Sequence, residues 1–161
     1  DRIIYSQRPD VTFGFNNTFN YKGFDLSVFL YARLGQWIAY DYNTTYRINA
    51  LENGGNVDYW TPENPTNAFP RPNKSKSYTQ VTYYSTLKYE DGSFFKIRDI
   101  TLGYTFKPEL LKHLNLSRLR VYATAKNFFT FSKIDNYDPE QGGSISFPMT
   151  KQLVFGLNVE F

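Results

Sequence analysis

Apolar residues recur at every second position over several separate stretches of this chain, and that period sets the first reading. Val11, Phe13, Phe15, Phe19 and Tyr21 fall in one phase, and Thr12, Gly14, Asn16, Thr18 and Asn20 in the other; only Asn17 breaks the pattern. Successive side chains of a strand point to opposite faces, so residues 11–21 form a strand with one greasy and one polar face. Lys22-Gly23 then reads as a two-residue turn, with glycine supplying a positive φ at little cost. The return strand, 24–33, carries Phe24, Leu26, Val28, Leu30 and Ala32 on one face and Asp25, Ser27, Phe29, Tyr31 and Arg33 on the other. Arms of about ten residues are the length that crosses a bilayer at a tilt.

The period returns at 94–106, where Ile100, Leu102, Tyr104 and Phe106 alternate with Thr101, Gly103 and Thr105. Phe95 and Ile97 are apolar in the opposite phase, which predicts a bulge near Arg98-Asp99. Residues 107–113 predict one helical turn with Pro108 near its start. A strand at 119–127 sets Leu119, Val121, Ala123 and Ala125 against Arg120, Tyr122, Thr124 and Lys126. A last strand at 151–161 places Leu153, Phe155, Leu157, Val159 and Phe161 in one phase. Between these lie two long stretches without a period, 35–92 and 129–150. The first contains Tyr59-Trp60-Thr61-Pro62-Glu63-Asn64-Pro65 and Phe69-Pro70-Arg71-Pro72, and prolines at that density cannot sit in a paired ladder.

Composition supports strands. Aromatics are 19% of the chain, as 15 Phe, 14 Tyr and 2 Trp, yet the mean hydropathy is −0.51, a balance of strands and polar turns rather than of helices. No apolar run approaches the roughly 18 residues a spanning helix needs. The chain opens Asp1-Arg2-Ile3-Ile4 without a basic-then-apolar leader, as a mature protein or an internal fragment would. Absence of cysteine rules out disulfides and thiolate metal sites. A net charge of +3 with scattered basic residues gives no nucleic-acid footprint.

Two all-β architectures fit the alternation. In a soluble β-sandwich, such as a carbohydrate-binding or adhesin module, the apolar faces meet in a core. In an outer-membrane barrel they face lipid, and the polar faces line the lumen. Connection lengths favour the barrel, since short turns alternate with long loops as periplasmic turns alternate with extracellular loops. Five strands do not close a barrel, and an open edge in hydrocarbon leaves backbone groups unpaired at several kcal/mol each. The expected partner strands therefore lie in sequence outside this chain.

The residues themselves carry a resemblance. Tyr59-Trp60-Thr61-Pro62-Glu63-Asn64-Pro65 with Pro70-Arg71, the run Asp91-Gly92-Ser93-Phe94-Phe95-Lys96-Ile97-Arg98-Asp99-Ile100-Thr101-Leu102-Gly103-Tyr104, and Asn127-Phe128-Phe129-Thr130-Phe131 leading to Asp138-Pro139-Glu140 resemble the C-terminal part of SusC/RagA-family TonB-dependent outer-membrane transporters. The resemblance covers essentially the whole chain. It implies the last five strands of a transmembrane antiparallel barrel of about 22 strands, with a plug domain outside this chain. It also implies TonB as energiser, a SusD-like surface lipoprotein as partner, glycan or peptide as cargo, and the outer membrane of a Gram-negative, Bacteroidetes-like cell. Gly156, Val159 and Phe161 match a C-terminal barrel-assembly signal, with Val154 where that signal usually has a polar residue.

Candidate site residues follow from chemistry. Tyr59 and Trp60 present flat apolar faces suited to sugar rings, although Pro-flanked aromatics more often pack their own loop. Glu63 and Arg71 form an expected ion pair there. Asp25, Arg33, Arg120 and Lys126 are expected in the lumen. Asp135, Asp138 and Glu140 raise calcium, but their spacing does not reproduce the twelve-residue EF-hand loop, and a solvated acidic loop is the preferred reading. His113 is the only histidine and has no adjacent serine or acid at suggestive spacing, so neither a hydrolytic triad nor a zinc site is expected. No enzymatic function and no cofactor are expected.

Overall fold

A computed structural model describes residues 3–44, 55–75 and 84–161. Residues 45–54 and 76–83 of the long aperiodic stretch lie outside the described residues. The chain divides into two units.

One unit, residues 10–34, 94–132 and 149–161, is a five-stranded antiparallel sheet. Its strands are β1 (Val11–Tyr21), β2 (Phe24–Leu34), β5 (Phe94–Thr105), β6 (Arg118–Ser132) and β7 (Gln152–Glu160), in spatial order β1-β2-β5-β6-β7. Lys22 and Gly23, at φ 47° and 89°, make the turn between β1 and β2, the paired positive φ values whose twist suits a two-residue hairpin. Gly23 is required twice over, because a Cβ there would stand 2.8 Å from the Thr105 carbonyl oxygen, which faces the Gly23 carbonyl's own bond from Thr105 N–H. Between β5 and β6 the chain makes one helical turn (Pro108–Leu111) and a short 3₁₀ segment, then leaves through Asn115 at φ 53°.

The pairing slips at two adjacent places. Opposite β2, β5 holds one extra residue, Arg98, between Ile97 and Asp99. Opposite β5, β6 holds one extra residue between Lys126 and Phe129, where Asn127 takes φ 59°. The single extra residue reverses the phase of β5, whereas β6, which carries two residues where β5 carries one, leaves and re-enters the ladder in the same phase. This explains why β6 runs to Ser132 rather than to 127, with the following loop starting at 133 rather than 129. Asn127-Phe128-Phe129 interrupts the alternation, which then resumes with Phe129 and Phe131 on the apolar face and Thr130 and Ser132 on the polar one.

The other unit comprises residues 1–9, 35–93 and 133–148. It corrects the expectation of loops without regular structure. Strands β3 (Trp37–Ala39) and β4 (Tyr89–Asp91) pair antiparallel, and short helical turns stand at Asp41–Thr44 and Tyr84–Leu87. Three-residue strands show no readable period, and their partners lie far apart in sequence. A small core forms from Ile38, Tyr40 and Ile134, with Tyr42, Tyr137 and Ile145 against it, and Tyr5 packs on Trp37 and Tyr89. Gly92 lies so close to Ile38 that a Cβ would sit 2.6 Å from its methyl group, and its carbonyl accepts from the buried Gln36 amide at 2.7 Å.

Candidate functional site

The sheet distributes its side chains in an order opposite to that of a water-soluble fold. Its apolar face is open: Phe155 is 76% exposed, Leu157 68% and Phe131 58%, with Phe13, Phe15, Phe19 and Leu102 also exposed. On the opposite face Phe94 and Lys96 are 1% and 0% exposed. Burying apolar surface is worth about 25 cal/mol per Å² in water, so a sheet that leaves this face open requires a non-aqueous surrounding or another protein surface against it.

Strand register sorts the four lumen candidates onto the sheltered, polar face. Asp25 and Arg120 are brought together: Arg120 Nε donates to Asp25 Oδ1 at 2.8 Å and Nη2 donates to Oδ2. The side chains are 24% and 17% exposed, and two parallel charge-assisted bonds fix both rotamers. Lys126 reaches Asp99 at 3.6 Å. Arg33 donates from Nε to the Tyr31 hydroxyl at 2.8 Å and lies over the Tyr31 and Phe94 rings. Arg98 also stands over Tyr31, and Lys96 over Phe94. Sequence reading missed Lys96, Phe94 and Arg98 in this cation–aromatic group. Phe94 and Lys96 come into phase with Arg33 once Arg98 is counted as an extra residue, and it is the pairing of Arg33 with Phe94 that brings the group together. Closer to the Lys22–Gly23 turn than the Lys126–Asp99 pair, Thr101 and Thr124 share a hydroxyl bond at 2.8 Å.

The aromatic loop candidates form a local fold. Trp60 N–H donates to the Phe69 carbonyl at 3.0 Å, and Tyr59 bridges Phe69. Thr61 and Asn64 exchange backbone bonds at 3.1 Å, and the Asn64 amide donates to Asp58 at 2.7 Å. The Thr66 hydroxyl, then Asn64, hold the Asp58 carboxyl below its ordinary range. A groove of about 390 Å³ is lined by Trp60, Thr66, Asn67, Phe69, Pro70, Arg71 and Leu87 among others. It brings Trp60 and Arg71 together but not Tyr59 or Glu63. The expected Glu63–Arg71 ion pair does not form among the described residues; Asn64 and Asp58 hold the turn instead.

The acidic loop is likewise explained by local structure. Asp138 Oδ1 accepts from Glu140 N–H at 3.0 Å, capping the 3₁₀ turn Pro139–Gln141. Among the described residues no group of three or more His, Asp or Glu is placed to hold a metal, so Asp135, Asp138 and Glu140 do not converge as a calcium site. His113 sits in the 3₁₀ segment between β5 and β6.

In the terminal strand, Val159 pairs with Leu119 on the apolar face and Gly156 lies opposite Tyr122. Phe161 follows the strand end, its carbonyl accepting from the Ser117 hydroxyl at 3.2 Å.

Comparisons with known proteins address the surroundings that this sheet requires. No family model matches the chain. It is 30% identical over its whole length to the TonB-dependent receptor SusC of Bacteroides thetaiotaomicron, covering 16% of that receptor. It is 29% identical over 99% of its length to TonB-dependent receptor P3 of Formosa agariphila, covering 17% of it. The structure matches a chain of the RagAB peptide transporter with TM-score 0.79 and 27% identity, over 99% of this chain and 18% of that one. The chain belongs to the SusC/RagA family, as a segment of its barrel. This SusC/RagA-family segment spans less than one fifth of the length of the relatives it matches. Its antiparallel strands match those of barrel relatives, and its own sheet is not closed. The relatives are receptors and transporters, not enzymes.

Asp91, in β4 and outside the five-stranded sheet, gives a pH-dependent test of the unit that contains β3 and β4. Hydrogen bonding by Ser93 holds its carboxyl below the ordinary range, partly offset by burial and aided by Lys133 at 3.0 Å. A depressed folded value stabilises the ribbon at pH above the unfolded value of 3.8, and that contribution is lost as pH falls through the folded value. Trp37 pairs with Asp91, so the part of the receptor's fluorescence change that a Trp37→Phe variant lacks should begin only below about pH 4. Ser93→Ala should move its midpoint upward.

Proposed function

We propose that this chain forms part of the wall of a TonB-dependent outer-membrane importer, with its apolar face in lipid and its polar face lining the lumen. The observation that carries the reading is the open apolar face of the sheet, joined to a polar face held by Asp25–Arg120 and Lys126–Asp99. On this reading, the Lys22–Gly23 turn and the Pro108–Leu114 connection are periplasmic. The stretches leaving β2 and β6 at their far ends are extracellular. Tyr59, Trp60 and Arg71 belong to that extracellular side, where cargo or a partner lipoprotein is met.

The remaining strands of a barrel of about 22, the plug and the TonB contact belong to the rest of the receptor. A SusD-like lipoprotein is the partner, and glycan or peptide the cargo. SusC and the peptide transporter RagAB support that pairing by likeness. The host is a Bacteroidetes-like bacterium, as are the sources of the named relatives. The chain's part is passage and support rather than catalysis.

The test is fractionation of the full-length receptor. It should stay in the outer membrane through an alkaline carbonate wash, need detergent for release, and migrate faster on gels before heating than after. Release into buffer as a folded, monodisperse species would overturn the reading. Trp60→Ala should lower cargo uptake several-fold while leaving the folded barrel fraction unchanged. An unchanged uptake would confine Trp60 to loop packing.

A further inference from the structure

Three glycines of the spanning strands turn their missing side chain to the polar face, and they are not equivalent. At Gly14 an added Cβ would stand 3.8 Å from the Phe29 ring, an ordinary contact. At Gly103 it would lie 2.6 Å from both Asp25 carboxylate oxygens and would overlap Arg120. At Gly156 it would overlap the Tyr122 ring and its hydroxyl. The last two are therefore sockets. The Asp25–Arg120 pair crosses over β5 through the space at Gly103, and the Tyr122 ring lies across β7 in the space at Gly156. The sockets are joined, because the Arg120 guanidinium stands 4.9 Å over the Tyr122 ring.

This joint answers a question that the hydrophobic pattern leaves open. A one-residue slip of β7 along β6 would turn its apolar residues to the polar face and is strongly disfavoured. A two-residue slip keeps every residue on its own face, so alternation does not oppose it. In the observed register Tyr122 faces Gly156. A two-residue slip would put Val154 or Asn158 there, each with a Cβ where the ring now lies. Only glycine seats the ring. We propose that Tyr122 and Gly156 form a register key that admits one pairing of β7 with β6, with Tyr122 held in place by the Asp25–Arg120 pair. The key is a positioning device, and it sets the height at which β7 presents its backbone groups at the free edge. Its consequence for barrel closure rests on the barrel reading above; the key itself does not.

The experiment uses the full-length receptor carrying Ala123→Cys and Phe155→Cys, a facing pair on the apolar side in a segment without native cysteine. The readouts are the yield of this cross-link and the heat-modifiable fraction. Gly156→Ala should lower both about fivefold or more, as expected of an overpacked contact. Adding Tyr122→Ala should restore both to the level of Tyr122→Ala alone, and Gly14→Ala should match the parent. A Gly156→Ala receptor indistinguishable from the parent would overturn the key. So would a double variant as defective as Gly156→Ala, which would mean that the assembly machinery reads the glycine itself. A parent without a heat-modifiable form would overturn the barrel reading, and the cross-link would still decide the key.

Discussion

Replacing Leu157 by Arg in the full-length receptor should cost about 2–4 kcal/mol of folded barrel if this residue lies near the bilayer midplane, less toward an interface. Leu157 is on the open face of β7, paired with Val121 and 68% exposed. In water an exposed leucine exchanged for arginine would be nearly neutral or would improve solubility, within about 0.5 kcal/mol. The sign and size therefore report the medium. The control is Asn20→Arg, on the polar face of β1 across from Asp25, expected to stay within about 1 kcal/mol. Urea titration of receptor refolded into lipid vesicles measures both. Equal tolerance of the two substitutions would remove lipid from the account of the apolar face. A larger loss at Asn20 would reverse the assignment of faces.

Breaking the Asp25–Arg120 pair should give the second large effect. Asp25→Asn keeps the shape of the side chain but leaves a sheltered guanidinium without its counter-charge. The expected loss is about 2–3 kcal/mol, since removing one partner costs more than the net worth of the pair. The double variant Asp25→Ala/Arg120→Ala should lose less than the sum of its single variants, with a coupling of about 1–3 kcal/mol. Arg118–Glu160 provides the contrast within the same sheet. Its distance is 3.3 Å, but its side chains are 53% and 61% exposed, and such pairs are worth about 1 kcal/mol or less. Glu160→Gln should therefore be nearly silent in the same urea titration. If the two pairs behaved alike, solvent would have to reach Asp25 and Arg120 as freely as it reaches Glu160.

The bulges show where reading by pattern works and where it stops. The phase reversal between Ile97 and Ile100 marks the irregularity at Arg98, because the extra residue leaves a visible break in the alternation. The interruption at Asn127-Phe128, which leaves the phase of β6 unchanged, reads as a strand end, because a polar residue followed by two aromatics fits a loop equally well. Only the pairing of Phe129 with Ile97 and Phe131 with Phe95 shows that the ladder continues. The Glu63–Arg71 expectation failed for a related reason. Opposite charges a few residues apart say nothing about direction, and the turn is held by Asp58, Asn64 and Thr66 instead. In the acidic loop Asp138 accepts from the Glu140 backbone N–H, a local demand that spacing alone does not reveal.

Sequence alone determined the all-β class, the two-faced strands and the residues that belong to each face, because a period of two is a local property of the pleated backbone. It also determined the hairpin turn, because Lys22-Gly23 is the only chemistry between two alternating runs that suits so short a connection. Tertiary structure decided everything that depends on partners distant along the chain. It paired Trp37–Ala39 with Tyr89–Asp91 inside a stretch without a period. It joined Asp25 to Arg120 across an intervening strand, and it turned Gly103 and Gly156 from missing side chains into fitted spaces. Alternation fixes which face a side chain takes but not its height along the sheet, and height is what decides which side chains meet.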